Sequence, residues 1–242
     1  MYLCKKDNKI KQLIMNRVKE ALILAIGLVL MGVSIKWGID GFTNKDRKVT
    51  VKGLAEREVP ADKVTWTIST NEMGNDLPSL HEGINQTTGK IKQFLKQYGL
   101  TEGEISVNPP SVTDLDANQW SENRKGFRYI INSTVTVTSK KVADVRKAIF
   151  KQAELLKQGV AIESSSANYE YVSFQKMKPE MMEEAIKNAQ KTAEQFAENS
   201  DSKLGKIQTA GQGQFEIDDR DASTPHVKKL RVVTTVTYSL KD

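Results

Sequence analysis

From Val49 onward the spacing of apolar residues switches between two and about 3.6, the periods of a half-buried strand and an amphipathic helix. Val49 and Val51 alternate with polar residues, as do Val64, Trp66 and Ile68, which predicts strands over 48–58 and 62–73. Asn75-Asp76 then offers an N-cap, with Pro78 in the first turn. Leu77, Leu80, Ile84, Thr87, Ile91, Phe94 or Leu95, and Tyr98 follow at steps of three or four. They form one stripe on a long helix, which Gly99 ends.

A strand is predicted over 105–114, at an edge or bent because Pro109-Pro110 cannot donate to a ladder. The polar stretch 115–125 reads as a loop. Phe127, Tyr129, Ile131, Ser133, Val135 and Val137 alternate cleanly as the next strand. Val142, Val145, Ile149, Ala153 and Leu156 mark a second helix closed by Gly159. A strand over 161–174 comes next, then a third helix opened by Pro179. Its small-residue face is Met182, Ala185, Ile186, Ala189, Ala193 and Phe196. Strands over 206–217 and 229–240 close the chain around the acidic loop Asp218-Asp219-Arg220-Asp221. The order ββα-ββα-β-α-ββ predicts an α+β domain: a mixed, largely antiparallel sheet with helices packed on one face. The succession of strand, helix and glycine turn hints at two related halves, without a residue-level repeat.

The first forty residues have a different texture. Ala21 to Ile35 is an apolar run without charge, extended by Lys36-Trp37-Gly38-Ile39. Fifteen such residues are short for a span of about twenty. Lys36 is placed to snorkel outward while Trp37 sits at the headgroup level, so Ala21–Ile39 reads as a transmembrane signal anchor. Residues 1–20 form a basic arm, 40–47 a linker, and 48–242 the folded domain. A cleaved signal peptide is the alternative, but the arm is long and only Gly32-Val33-Ser34 resembles a cleavage site.

Charge supports this division. The net charge is +6, yet seven basic residues against Asp7 and Glu20 place +5 of it before Asp40. The remaining +1 gives no support for nucleic-acid binding, while the basic arm sets the N-terminus in the cytoplasm. The domain is then expected outside the inner membrane of a bacterial cell. Cys4 is the only cysteine and precedes the apolar run, so the exported part has no disulfide and no thiolate site.

An ordered set of segments resembles the SIMPL domain family, which includes bacterial oxidative stress defence proteins and a periplasmic immunogenic protein. They are Val49-Thr-Val-Lys-Gly53-Leu-Ala-Glu56, then Pro60-Ala61-Asp62 leading into Val64-Thr-Trp-Thr-Ile68, and the helix ending Tyr98-Gly99-Leu100. Ile105 with its proline-containing strand follows, then Tyr129 and Asn132-Ser-Thr-Val-Thr-Val-Thr138. The Ala-rich helix Glu184 to Ala197, Lys203-Leu204-Gly205-Lys206-Ile207, and Val232 to Leu240 complete the set. The resemblance covers roughly 48–241 and rests on the order, since no one segment is specific. It implies an exported α+β protein, not established as an enzyme, with a loose link to envelope or oxidative stress protection. A tether distinguishes this chain from relatives that look secreted.

The residues themselves offer little chemistry. His81 lies on the first helix and His226 in a loop, without further ligands at metal-binding spacing. Gly83-Ile-Asn-Gln-Thr-Thr-Gly89-Lys90 has five residues between its glycines where a phosphate loop has four, and Ile91 replaces the Ser or Thr. Asp114-Leu-Asp116-Ala-Asn118 starts like a calcium loop, but Gln119 and Lys125 occupy the Gly and Glu positions. Asp218, Asp219 and Asp221 read as a solvated hairpin tip, with weak divalent binding as the sharper alternative. No Gly-x-Ser-x-Gly elbow is present. Tyr169, Tyr171 and Phe174 line a groove or, more simply, pack in a strand.

No residue is therefore assigned a catalytic, cofactor-binding or metal role, and no cofactor is expected. The expected partners are the membrane, through Ala21–Ile39, and further copies of the chain; an envelope protein is another candidate, and nucleic acid is not. Outward strand positions Thr134, Thr136, Thr138, Thr235, Thr237 and Ser239 carry few charges, so strand edges or the 109–125 excursion are expected to self-associate. A binding module for a small molecule, peptide or lipid is the alternative, and an enzyme with unfamiliar residues a third reading.

Overall fold

The structure, a computed structural model, describes residue 22 and residues 24–39, 47–117 and 126–241. The basic arm with Cys4, the linker over 40–46 and the loop over 118–125 lie outside the described residues. The predicted anchor is helical over its described stretch 24–39 (α1), and every residue there is exposed. Sixteen residues rise about 24 Å, short of a hydrocarbon core of about 30 Å. Among the described residues no helix is long and apolar enough to cross a membrane.

The domain is α+β, with antiparallel sheets and helices. Its elements are β1 (Lys48–Pro60), β2 (Lys63–Gly74), α2 (Leu77–Gln97), β3 (Ile105–Val107), β4 (Ser111–Asp114) and β5 (Tyr129–Ser139). Then come α3 (Val142–Lys151), α4 (Ala153–Lys157), β6 (Ile162–Glu170), α5 (Phe174–Asn199), β7 (Lys203–Asp219) and β8 (Val227–Lys241). The expected order holds, with two elements divided. Asn108-Pro109-Pro110 splits one strand into β3 and β4, both paired with β5. A break at Gln152 divides the second helix.

The single mixed sheet expected from the alternation is two sheets. One runs β1-β8-β7; the other runs β3-β5-β2-β6, with β4 also on β5. The ladders β2–β5, β2–β6, β3–β5 and β4–β5 are all antiparallel. Alternation fixes which side chains share a face but not which strand lies beside which, so this error has a physical origin.

The chain forms two compact units. Residues 54–185 and 213–233 form one, which contains the five-stranded sheet. There Val64, Trp66, Ile68, Val135 and Val137 point to one face and are covered by Ile91, Phe94 and Leu95 of α2. Val145, Ala148 and Leu155 of α3 and α4 join the same core. Asp76 caps α2 by accepting from Ser79 N at 3.1 Å, and Gly99 ends it at φ +81°. The buried stripe runs Val145, Ala148 and Leu155, at helical spacing across Gln152, so Leu155 is buried and Leu156 exposed, the reverse of the expected stripe. A second core in this unit gathers Ala55, Leu230 and Val232 with Met181 and Ala185. The Phe174 and Phe215 rings close it edge to face, 4.7 Å apart.

The other unit comprises α1 with residues 47–53, 186–212 and 234–241. Its core is Val51, Val236 and Tyr238 against Ala189 and Ala193. The third helix begins at Phe174, so Pro179 lies within α5 instead of opening it. Its missing N–H leaves the Gln175 carbonyl without the usual helical partner. The buried positions are Met181, Ala185, Ala189, Ala193 and Ala197, one every fourth residue. Ile186 and Phe196, expected on that stripe, are exposed. Only the alanine line is small enough for close approach of a helix backbone, so the larger side chains are left on its flanks.

Candidate functional site

Pro60-Ala61-Asp62 forms the corner between β1 and β2, and Asp62 does most of its work. The Val172 and Ser173 amides donate to its carboxylate at 2.7 and 2.9 Å, fixing the approach to α5. Ala61 N donates to the His226 carbonyl at 2.9 Å, and Asp62 N to the Glu170 carbonyl at 3.0 Å. Burial alone would raise the Asp62 pKa; the hydrogen bonds from Ser173 and Val172 outweigh it and hold the carboxyl below its ordinary range.

Glu104 is tied down in a similar way. Its carboxylate accepts from Ser139 Oγ at 2.6 Å and from Thr101 N and Oγ1, each at 2.8 Å. The Ser139 hydroxyl is the largest influence, and Lys141 Nζ lies 3.5 Å away; together the contacts lower its pKa to about 2. The sequence assigned neither residue a role, although Asp62 stands in one of the segments that carry the family resemblance. The signal for Glu104 was the Thr101-x-x-Glu104 capping box; Asp62 had none, because its donors lie more than a hundred residues away.

The acidic segments singled out from the sequence are also occupied by their own chain. Arg128 grips Asp114, with Nη2 at 3.0 Å from Oδ2, and stacks on Tyr129 at 4.8 Å. Residues 118–125 of that would-be calcium loop lie outside the described residues. Asp221 accepts from Thr224 Oγ1 at 2.5 Å, from the Ser223 and Thr224 amides at 2.9 and 2.8 Å, and from Arg220. The Thr224 hydroxyl first, then Arg220, lower its pKa to about 2. Asp219 pairs with Lys228. The hairpin tip is thus an Asx-type turn. Among the described residues no group of three or more His, Cys, Asp or Glu is gathered to hold a metal ion.

His81 is exposed on α2, 3.1 Å from Asn85 Nδ2. His226 packs its ring against Tyr169, with centroids 6.2 Å apart. Burial, then Arg146 and Arg220, lower its pKa. Tyr169, Tyr171 and Phe174 do not line one groove. Tyr169 belongs to the main core, while Tyr171 and Phe174 pack around Met181. Gly83 to Lys90 is helical throughout, and a Cβ at Gly83 would meet the Glu72 carboxylate, which would have to swing aside.

The outward face of the five-stranded sheet carries a single chemistry. Register aligns Thr65 with Thr138 and Asn168, and Thr67 with Thr136 and Ser166. Ser69 stands between Thr134 and Ser164, and Asn132 between Asn71 and Ser111. Ser106 extends the Thr136 row onto β3. All four rows are uncharged hydroxyls and amides, and none of these side chains is buried. Ser69 and Thr134 share a hydrogen bond of 3.1 Å, and Thr67 donates to the Ser166 carbonyl at 3.2 Å. The ion pair Lys63–Glu170 (2.7 Å) closes one end, and Met73 beside Ile130 the other. Thr134, Thr136 and Thr138 therefore belong to this face, whereas Thr235, Thr237 and Ser239 lie on β8 of the other sheet.

Residues 49–238 match the family model SIMPL, described as a protein of unknown function (DUF541). No curated protein matches the chain.

Proposed function

Because the chain belongs to the SIMPL family, whose function is unknown, we propose that it is a membrane-anchored, exported, non-enzymatic protein that acts by self-association. The basic arm ahead of Ala21–Ile39 supports export with the N-terminus inside. The non-enzymatic reading rests on one observation. Asp62, Glu104, Asp114 and Asp221, the most heavily hydrogen-bonded of the carboxylates described above, each accept from donors of their own chain. Such groups are spent on structure; an acid catalyst wants a pKa raised toward the working pH. The family resemblance supports adding to the proposal a role in protecting the envelope against oxidative or other stress.

Self-association draws support from the wide uncharged sheet face and from tethering, which raises local concentration so that a weak contact suffices. Sedimentation velocity of the full-length chain in detergent should show a species heavier than one copy at micromolar concentration. A single monomeric species up to about 100 µM, a range covering weak physiological contacts, would remove self-association from the proposal.

A further inference from the structure

We infer that two copies of this chain meet through the outward hydroxyl face of β6, β2, β5 and β3; the inference rests on the self-association proposed above. The partner's chemistry follows from what the face lacks. Four successive rows, from Thr65–Thr138 to Asn71–Asn132, carry no charge. A charged partner would lose water there without meeting a counter-charge. An apolar partner would strip the hydroxyls of water and leave them unpaired. The match is an uncharged surface rich in groups that both donate and accept.

A second copy of the same face meets that requirement. Each Ser or Thr hydroxyl and each Asn amide both donates and accepts, so the surface is complementary to itself about a two-fold axis. Absence of charge also removes the self-repulsion that keeps lysine-bearing sheets apart. A saccharide shares the hydroxyl chemistry, but sugar rings are usually held by stacking on aromatic side chains. None of the four rows contains an aromatic residue.

Size agrees with a reversible contact. The thirteen residues of the four rows, each covering about 4.8 by 6.8 Å, span roughly 420 Å² per copy. Two copies would bury about 850 Å², the range of weak, transient contacts, as expected of an assembly that relies on tethering.

The test places like charges at the centre of the contact. Thr67 and Thr136 are register partners on the outward face. The full-length double variant Thr67→Lys/Thr136→Lys should self-associate at least about ten-fold more weakly. Salt should recover part of the loss by screening. Thr237→Lys, on β8, should change nothing. Unchanged association of the double variant, with wild-type sedimentation still heavier than one copy, overturns the face while leaving self-association intact. A wild type that is monomeric throughout overturns both.

A second measurement covers a double variant that fails to fold. In a Cys4→Ser background, Thr136→Cys should crosslink between copies with a short bis-maleimide, while Thr237→Cys should not. The reverse pattern overturns the proposed face.

Discussion

Replacing Trp66 by alanine should cost the domain about 3–5 kcal/mol, the range for losing a large buried aromatic. Trp66 is fully buried at the centre of the five-stranded sheet, flanked by Val137 on β5 and Ala167 on β6. Two losses combine in that figure. The ring's apolar area returns to water, and the Trp66 Nε1 hydrogen bond to Ser165 Oγ (2.9 Å) disappears. Ser165 also donates to Gln152 Oε1 at 2.8 Å, so the loss reaches the break between α3 and α4. Chemical denaturation of wild type and variant measures the difference. A cost below about 1 kcal/mol would mean that the cavity collapses or that this face is not the core.

Asp62→Ala should be the next most damaging single change, at about 2–3 kcal/mol, the value of hydrogen bonds to a charged group plus stranded amides. The Val172 and Ser173 amides would lose their acceptor at the start of α5. The same contact gives a pH dependence with a definite sign. A carboxyl whose folded pKa lies below its unfolded value stabilises the fold above the unfolded pKa. That contribution fades as pH falls toward the folded pKa. Asp62 and Glu104 both act this way, and for Glu104 the window runs from 4.5 down to about 2. Acid unfolding of Asp62→Asn and Glu104→Gln should each start from lower stability at neutral pH and lose less of it over that range. An acid limb as steep as wild type in both variants would contradict the assignment.

Much of the fold was legible because local pattern and tertiary burial agree. The stripe Leu80, Ile84, Ile91 and Leu95 is buried as its spacing requires, and Trp66 faces inward as the β2 alternation requires. The errors share a cause: the information lies in contacts between distant segments. Nothing near Val49 or Val232 states that their strands form a sheet apart from β2 and β5. Along α5, hydrophobicity favours Ile186 and Phe196 over alanine, whereas close packing favours the smaller side chain. Leu155 replaced Leu156 because the buried stripe runs through Val145 and Ala148, not through Ile149, which hydrophobicity favoured.

The candidate surface was half visible in the same way. Thr134, Thr136 and Thr138 stood out as uncharged outward positions, but their neighbours Thr67 and Ser166 are set by register. No residue in β5 encodes that register. The acidic segments, read from the sequence as loops and a solvated hairpin tip, are turns and ion pairs built with Arg128, Thr224 and Lys228.

The location of the domain outside the cytoplasm is the claim on which the functional reading depends, and Cys4 reports on it directly. In spheroplasts, a membrane-impermeant maleimide should leave Cys4 unlabelled until the inner membrane is lysed. Ser223→Cys in a Cys4→Ser background, at the exposed hairpin tip, should label at once. Labelling of Cys4 in intact spheroplasts, with Ser223→Cys protected until lysis, would invert the topology and contradict the account.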